Sequence, residues 1–286
     1  MTVRRLARAP DDGFDHPLVP GLRSSVDARR IAEEVAFAAA RLDELRHDPP
    51  GLLGEIAVLD DREEAAWQCF LVAWLSPVEA EDPWEGIRAA HVPWSSGELP
   101  RVDGVALGER TACDPGRADA TVTAYRAWAA KSGGQVAALA GEEAWDPPRR
   151  FDRAFERLSL PAFNRAARFE FLLLASGLGL VDAEAWNLHL RAEPMDPVVL
   201  ACKRAFGIGD PALLAQRLRA LADAGEAPVA AFDLGLLNWS RGGAQDRIRA
   251  GSRAEPDAGV RERLERAMGL EPAAAEGGDD QPPGAA

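Results

Sequence analysis

From Ser25 to His47 the apolar positions Ile31, Val35, Ala38, Leu42 and Leu45 recur at helical spacing, with arginine and glutamate on the opposite face. Asp48-Pro49-Pro50 stops the run, so the pattern predicts an amphipathic helix over 25–47. A second helix is predicted from about Asp61, where Trp67, Phe70, Leu71, Trp74 and Leu75 form one stripe until Pro77 ends it. Two tryptophans on one stripe read as core rather than as a platform for stacking bases. Residues 76–118 carry scattered Pro, Gly and Trp with no period and read as a long loop of the kind that is functional or mobile. Helical spacing returns over Ala118–Lys131, with Thr121 or Val122, Tyr125 and Trp128 in line and Gly133-Gly134 closing it.

The stretch from Asp146 to Arg241 is the most regular. Three helices open on Asp-Pro, at 146–147, 196–197 and 210–211, which sets an N-cap carboxylate before a proline suited to the first turn. Glycines at 177, 207 and 225 stand where helices close. No segment alternates with period two for long enough to predict a sheet, so the chain reads as all-α with about eight to ten short helices. The predicted organisation is an extended lead-in over 1–22, a helical domain over 23–241, a linker and short helix over 242–270 with Val260, Leu264 and Met268 on one face, and a disordered tail over 271–286 whose composition cannot bury apolar surface.

The 286 residues carry 33 Lys+Arg against 46 Asp+Glu, a formal net charge of −13, which argues against a protein that coats nucleic acid by bulk positive charge. Charge by segment changes that picture. Between Arg149 and Arg168 six arginines (149, 150, 153, 157, 165, 168) face two acids, a local balance of +4 that suits a phosphate-contacting surface. The alternative is a solvated helix face with acid partners along the same helix. No apolar run reaches the ~20 residues of a membrane span, and no apolar stretch follows the basic start, so the sequence predicts a cytoplasmic protein without a membrane partner. Cys69, Cys113 and Cys202 are widely spaced and read as ordinary thiols, which leaves no metal site and no disulfide framework. Only two lysines occur, Lys131 and Lys203, so a nucleophilic lysine is all but excluded. No cofactor-binding motif is present, and oligomeric state is not encoded in any visible pattern.

The segments LSLPAFNRAARFEFLLLASGLG, DPVVLACKRAFGIGD and FDLGLLNWSR together resemble the core of the helix-hairpin-helix DNA glycosylase superfamily, over about residues 146–241. In that likeness Leu160-Pro161-Ala162-Phe163-Asn164-Arg165 is the hairpin, Asp196 the helix-opening aspartate, and Asp233–Arg241 the closing helix. The hairpin glycines are replaced by Ala162 and Asn164, the lysine of the lyase members falls on Ala166, and no cysteine follows Cys202 to build an iron–sulfur loop. The wording RFEFLLL and DPVVLACKRAFGIGDP looks more like a divergent branch, the alpha-glutamyl/putrescinyl thymine pyrophosphorylase family, clade 3-like.

The resemblance implies a bilobed helical fold, a DNA substrate bearing a hydroxymethyluracil-derived base, and a small amine or amino-acid donor that displaces pyrophosphate. It implies Asp196 as the charged catalyst at a helix N-terminus, where the dipole favours a carboxylate that stabilises a cationic sugar, orients water or deprotonates an amine. Asp196 read without the likeness is a plain N-cap, and both roles are compatible. Asn164, Arg165 and Arg168 would contact DNA at the hairpin, with a buried salt bridge from Arg168 to Glu170 as the alternative. Lys203 and Arg204 would face the same cleft from two turns into the Asp196 helix. Trp186 and His189, in the preceding loop, would meet an extruded base. The competing reading is a non-catalytic glycosylase-fold module that binds nucleic acid or protein.

Overall fold

The computed structural model describes residues 9–242 and 244–271. Twelve α-helices and three short 3-10 turns are found among the described residues, and no strand. The chain is all-α.

Helix α1 spans Ser25–His47, α2 Leu52–Ala57, α3 Arg62–Leu75, α4 Glu85–Ala90, α5 Ala118–Ala130 and α6 Gln135–Ala140. They are followed by α7 (Pro147–Arg157), α8 (Arg165–Gly177), α9 (Pro197–Phe206), α10 (Pro211–Ala224), α11 (Ala231–Arg241) and α12 (Ala258–Ala267). The helix count exceeds the eight to ten that periodicity predicts because α2, α4 and α6 are six-residue helices, too short to display a stripe. Each Asp-Pro start is a helix start. Asp146, Asp196 and Asp210 accept backbone N–H bonds from the first turns of α7, α9 and α10, with proline at the head of each helix. Of the three glycine stops only Gly207 takes the left-handed conformation, at φ +65°. Gly177 and Gly225 serve close approach instead: a Cβ on them would meet the Leu45 and Leu264 side chains at 2.4 and 2.3 Å.

Packing divides the helices into two sets. Helix α1 lies against α11 and α12, with α9 and α10 completing that side; α3 lies against α8, with α5, α6 and α7 around them. Packing of α1 on α8 joins the two. The aromatic stripe of α3 is core, as predicted: Trp67, Phe70 and Trp74 are fully buried, and Phe70 stacks on Tyr125 at 3.9 Å between ring centroids.

One sequence expectation needs correction. The segment 76–118 is not a free loop. Trp84, Ile87 and Ala90 bury one side of α4, and the N–H groups of Gly108, Ala112 and Cys113 bond carbonyls at the end of α3, so this length of chain is laid along the core. The lead-in over 1–22 is anchored where it is described: Val19 and Leu22 are buried, and Asp12 accepts from the Ser25 backbone and hydroxyl. The short helix expected within 242–270 is α12, with Val260, Leu264 and Met268 buried, while Ile248 enters the same core and Arg247 pairs with Glu33 and Glu34 of α1. The predicted tail lies outside the described residues apart from Glu271.

Between α7 and α8 the chain makes a tight turn at Pro161-Ala162. Ala162 sits at φ +54°, a left-handed conformation that costs an L-residue roughly 1–2 kcal/mol and that glycine adopts freely. Asn164, by contrast, has φ −69° and caps α8 through the Ala167 N–H, so a side chain there is an advantage. Replacing Ala162 with glycine should therefore stabilise the fold by about 0.5–1 kcal/mol, since relief of strain exceeds the added freedom of the unfolded chain. A lower urea midpoint for Ala162→Gly would contradict the strain.

Candidate functional site

Helix α8 carries Arg165, Arg168 and Glu170 inside an otherwise apolar surface, and all three are buried. Charges in such a place must be paired. The Arg165 guanidinium has no solvent exposure. Its Nη2 donates to Asp233 Oδ1 at 2.7 Å and to Asp196 Oδ1 at 3.1 Å, its Nε lies 3.0 Å from Asp196 Oδ2, and its Nη1 donates to the Leu188 carbonyl at 3.0 Å. Asp233, on the first turn of α11, is also paired with Arg110. Arg110 reaches Glu170 at 3.3 Å, and Glu170 closes the chain on Arg41 of α1. The order Arg41–Glu170–Arg110–Asp233–Arg165–Asp196 thus runs as one buried ion network between the two sets of helices.

The electrostatics follow from that order. Burial works to raise the Asp233 carboxyl, but the guanidinium groups of Arg165 and Arg110 outweigh it and hold it below the usual carboxylate range. Burial likewise works against the charge on Arg165, and the carboxylates of Asp233 and Asp196 more than restore it. Because the folded-state value of Asp233 is depressed, its stabilising contribution is whole above the unfolded value near ~4 and is lost as pH falls below it. Unfolding midpoints measured from pH 6 downward should decline most steeply below about pH 4, and an Asp233→Asn variant should lack that part of the decline.

Asp196 is the last member of the network. It is the N-cap of α9, accepting from the Val198 N–H at 2.8 Å, and it is 6% exposed. That exposure opens onto a pocket of about 280 Å³ shared with Asn164, Arg110, Glu193 and, on its far side, Arg241 and Glu109. Arg241 of α11 is itself paired with Glu109. A carboxylate, two guanidinium groups and the Asn164 turn are brought together by four separate segments of chain.

No family model, curated protein or solved structure matches the chain.

The predicted site residues separate. Asp196 and Asn164 share the pocket just described. Arg165 does not reach it as a phosphate ligand; full burial and its bonds to two aspartates and a carbonyl occupy it as the brace of Asp196. Arg168 forms no bridge to Glu170, which is taken by Arg41 and Arg110; it lies over the Phe155 ring at 4.5 Å and, with Trp186 and His189, lines a different pocket. Lys203 and Arg204 also turn elsewhere, lining a third pocket with Arg23 and Asp27. There Arg204 bonds Asp27 at 2.8 Å and covers Trp239 at 4.3 Å. The +4 patch is reduced in the same way. Of its six arginines 149, 153 and 157 are exposed, 165 and 168 are interior, and Arg150 spends its donors on the carbonyls of Ala140, Trp145 and Asp182. Asn238 and Trp239 are structural, with Asn238 bonding both the N–H and the carbonyl of Ile248.

The three thiols are free and buried, and burial pushes Cys69 up to about 12, which leaves it inert as a nucleophile. Among the described residues no cluster of three or more His, Cys, Asp or Glu is arranged to hold a metal ion, and no helix is long and apolar enough to cross a membrane.

Proposed function

We propose that the chain is a DNA-directed enzyme of the helix-hairpin-helix glycosylase type, acting on a modified thymine and using Asp196 as its charged group. The observation that carries this reading is the placement of Asp196: N-cap of α9, braced by the buried Arg165, in the lining of a pocket that also takes in Asn164 of the α7–α8 turn, Arg110 and Arg241. The left-handed Ala162 supports it, because that turn position has the backbone geometry a hairpin glycine would supply. A base extruded from the duplex would enter the pocket, with Asp196 facing the cationic character that develops at the sugar or at an incoming amine. Alignment with the alpha-glutamyl/putrescinyl thymine pyrophosphorylase branch would make the base hydroxymethyluracil-derived and the co-substrate a small amine or amino acid. Exposed Arg149, Arg153 and Arg157 on α7 supply the backbone grip.

A second reading, a glycosylase-fold module without catalysis, is favoured by the same brace: both Asp196 oxygens are already engaged by Arg165. Two measurements separate the readings. Binding to a duplex should weaken with salt, and the triple variant Arg149→Ala, Arg153→Ala, Arg157→Ala should lower the slope of log K against log salt by about one for each phosphate that an arginine no longer neutralises. Release of pyrophosphate from a duplex bearing pyrophosphorylated hydroxymethyluracil, dependent on added amine, supports the enzyme. Salt-dependent DNA binding without turnover supports the module. No detectable DNA binding removes the enzyme and leaves of the module only its protein-binding form.

A further inference from the structure

Arg168 is an unusual arginine. It is nine-tenths buried, yet among the described residues no carboxylate lies within ion-pair distance and its polar bond is a long one, from Nε to the Asn164 carbonyl at 3.4 Å. Burial lowers its proton affinity, the charge of Glu193 acts the other way, and the neighbouring Arg165 adds a smaller repulsion. Charged side chains in such surroundings are normally paired, so the two terminal amino groups of Arg168 lack a counter-ion.

These groups border a pocket of about 610 Å³, within the usual range for a small-molecule site. Exposed Arg191 and half-buried Arg219 stand at its edge, and neither is paired with an acid among the described residues. The one acid in the lining, Glu156, is bonded to Arg153 at 2.9 Å. The walls are aromatic. His189 stacks on Phe155 at 3.8 Å and 10°, Arg168 covers the Phe155 ring, and Trp186 is 40% exposed at the mouth. His189 has φ +50°, a strained conformation for histidine that tends to persist at binding sites. Asp152 fixes this wall from behind, taking bonds from Trp186 Nε1 at 2.7 Å and Asn187 Nδ2 at 3.1 Å and lying 3.1 Å from His189 Nε2.

We infer that this pocket, separate from the one at Asp196, binds a free nucleoside monophosphate, with the phosphate on Arg168 between Arg191 and Arg219 and the base against Trp186. A phosphate dianion would give Arg168 the charge-assisted partner it lacks, in a bidentate geometry suited to a guanidinium. Arg219 lies over the Trp186 ring at 4.9 Å, and the exposed remainder of the indole offers the base a stacking surface.

The test is calorimetric titration of the full chain with AMP, dTMP, adenosine and inorganic phosphate. The nucleotides should bind saturably and adenosine not at all, with phosphate weaker than either nucleotide. Arg168→Met, which keeps the stem over Phe155, should weaken nucleotide binding at least tenfold. Arg191→Ala, at an exposed rim position, should weaken it several-fold whether or not the Met variant folds. Asp196→Asn should leave it unchanged, so failure of the Asp196 proposal and failure of this one are told apart. Absence of saturable nucleotide binding, or affinity unaltered in Arg191→Ala and in a folded Arg168→Met, would overturn the inference. So would a single-stranded oligonucleotide that displaces the nucleotide and binds through Arg168 more tightly than it does, since the pocket would then be part of a DNA path.

Discussion

Replacing Arg165 with methionine should destabilise the protein by about 3–5 kcal/mol, the loss expected when one member of a buried ion pair is removed and its partner carboxylates stay buried. Arg165 is the member with the most bonds: it holds Asp233 and Asp196 at once and also satisfies the Leu188 carbonyl. Methionine fills much of the stem volume, so packing changes little and the loss isolates the charge. Arg165→Lys should fall between wild type and methionine, because a single ammonium cannot span two carboxylates and a carbonyl as the planar fork does. Urea unfolding at pH 7 measures all three, with an unchanged m-value showing that the unfolded state is not the cause. A loss below about 1 kcal/mol for Arg165→Met is the size of a surface ion pair and would show that water reaches the network.

That network also explains which parts of the molecule can be read in its sequence. Helices α1 and α5 declare themselves by period, and α3 and the three that open on Asp-Pro by period and an aspartate cap together. The pairing of Arg165 with Asp233 spans 68 residues, and no local pattern specifies a partner so distant. A signal for the participants is nevertheless visible. Arg165, Arg168 and Glu170 in RAARFEFLLLASG, and Asp233 in AFDLGLLNWSR, are charges set within apolar helix faces, which only buried partners can support. Arg110 carries no such signal, because it sits in an aperiodic stretch whose path is decided by backbone bonds to the end of α3. The same limit explains why the anticipated single cleft resolves into three pockets. Lys203 and Arg204 are close to Asp196 in sequence, but helical rotation turns them toward Asp27 and Arg23.

On the proposed DNA reading, Asp196→Asn should lower turnover by roughly 10²–10³-fold, the usual effect of deleting one preorganised electrostatic group from a site shielded from water. The substitution separates charge from architecture more cleanly here than at an ordinary catalytic aspartate. Asparagine is as good an N-cap as aspartate, so the Val198 N–H keeps its acceptor and α9 keeps its start. Arg165 keeps Asp233 and the Leu188 carbonyl and loses only the charge on one side, which should cost about 1–3 kcal/mol of stability, less than its own removal. Folded Asp196→Asn should therefore bind duplex DNA with wild-type affinity and the wild-type salt slope, because the grip lies on α7. Turnover within threefold of wild type would eliminate Asp196 as the catalytic group, and equal loss of turnover and DNA affinity would assign it to binding. Arg165→Lys supplies the complementary arm. If Asp196 must be held in one orientation, the lysine variant should lose turnover while retaining the carboxylate; if the guanidinium chiefly masks the carboxylate's charge, loosening the brace should leave turnover equal or higher. The sign of that change decides whether the buried network prepares Asp196 for chemistry or silences it.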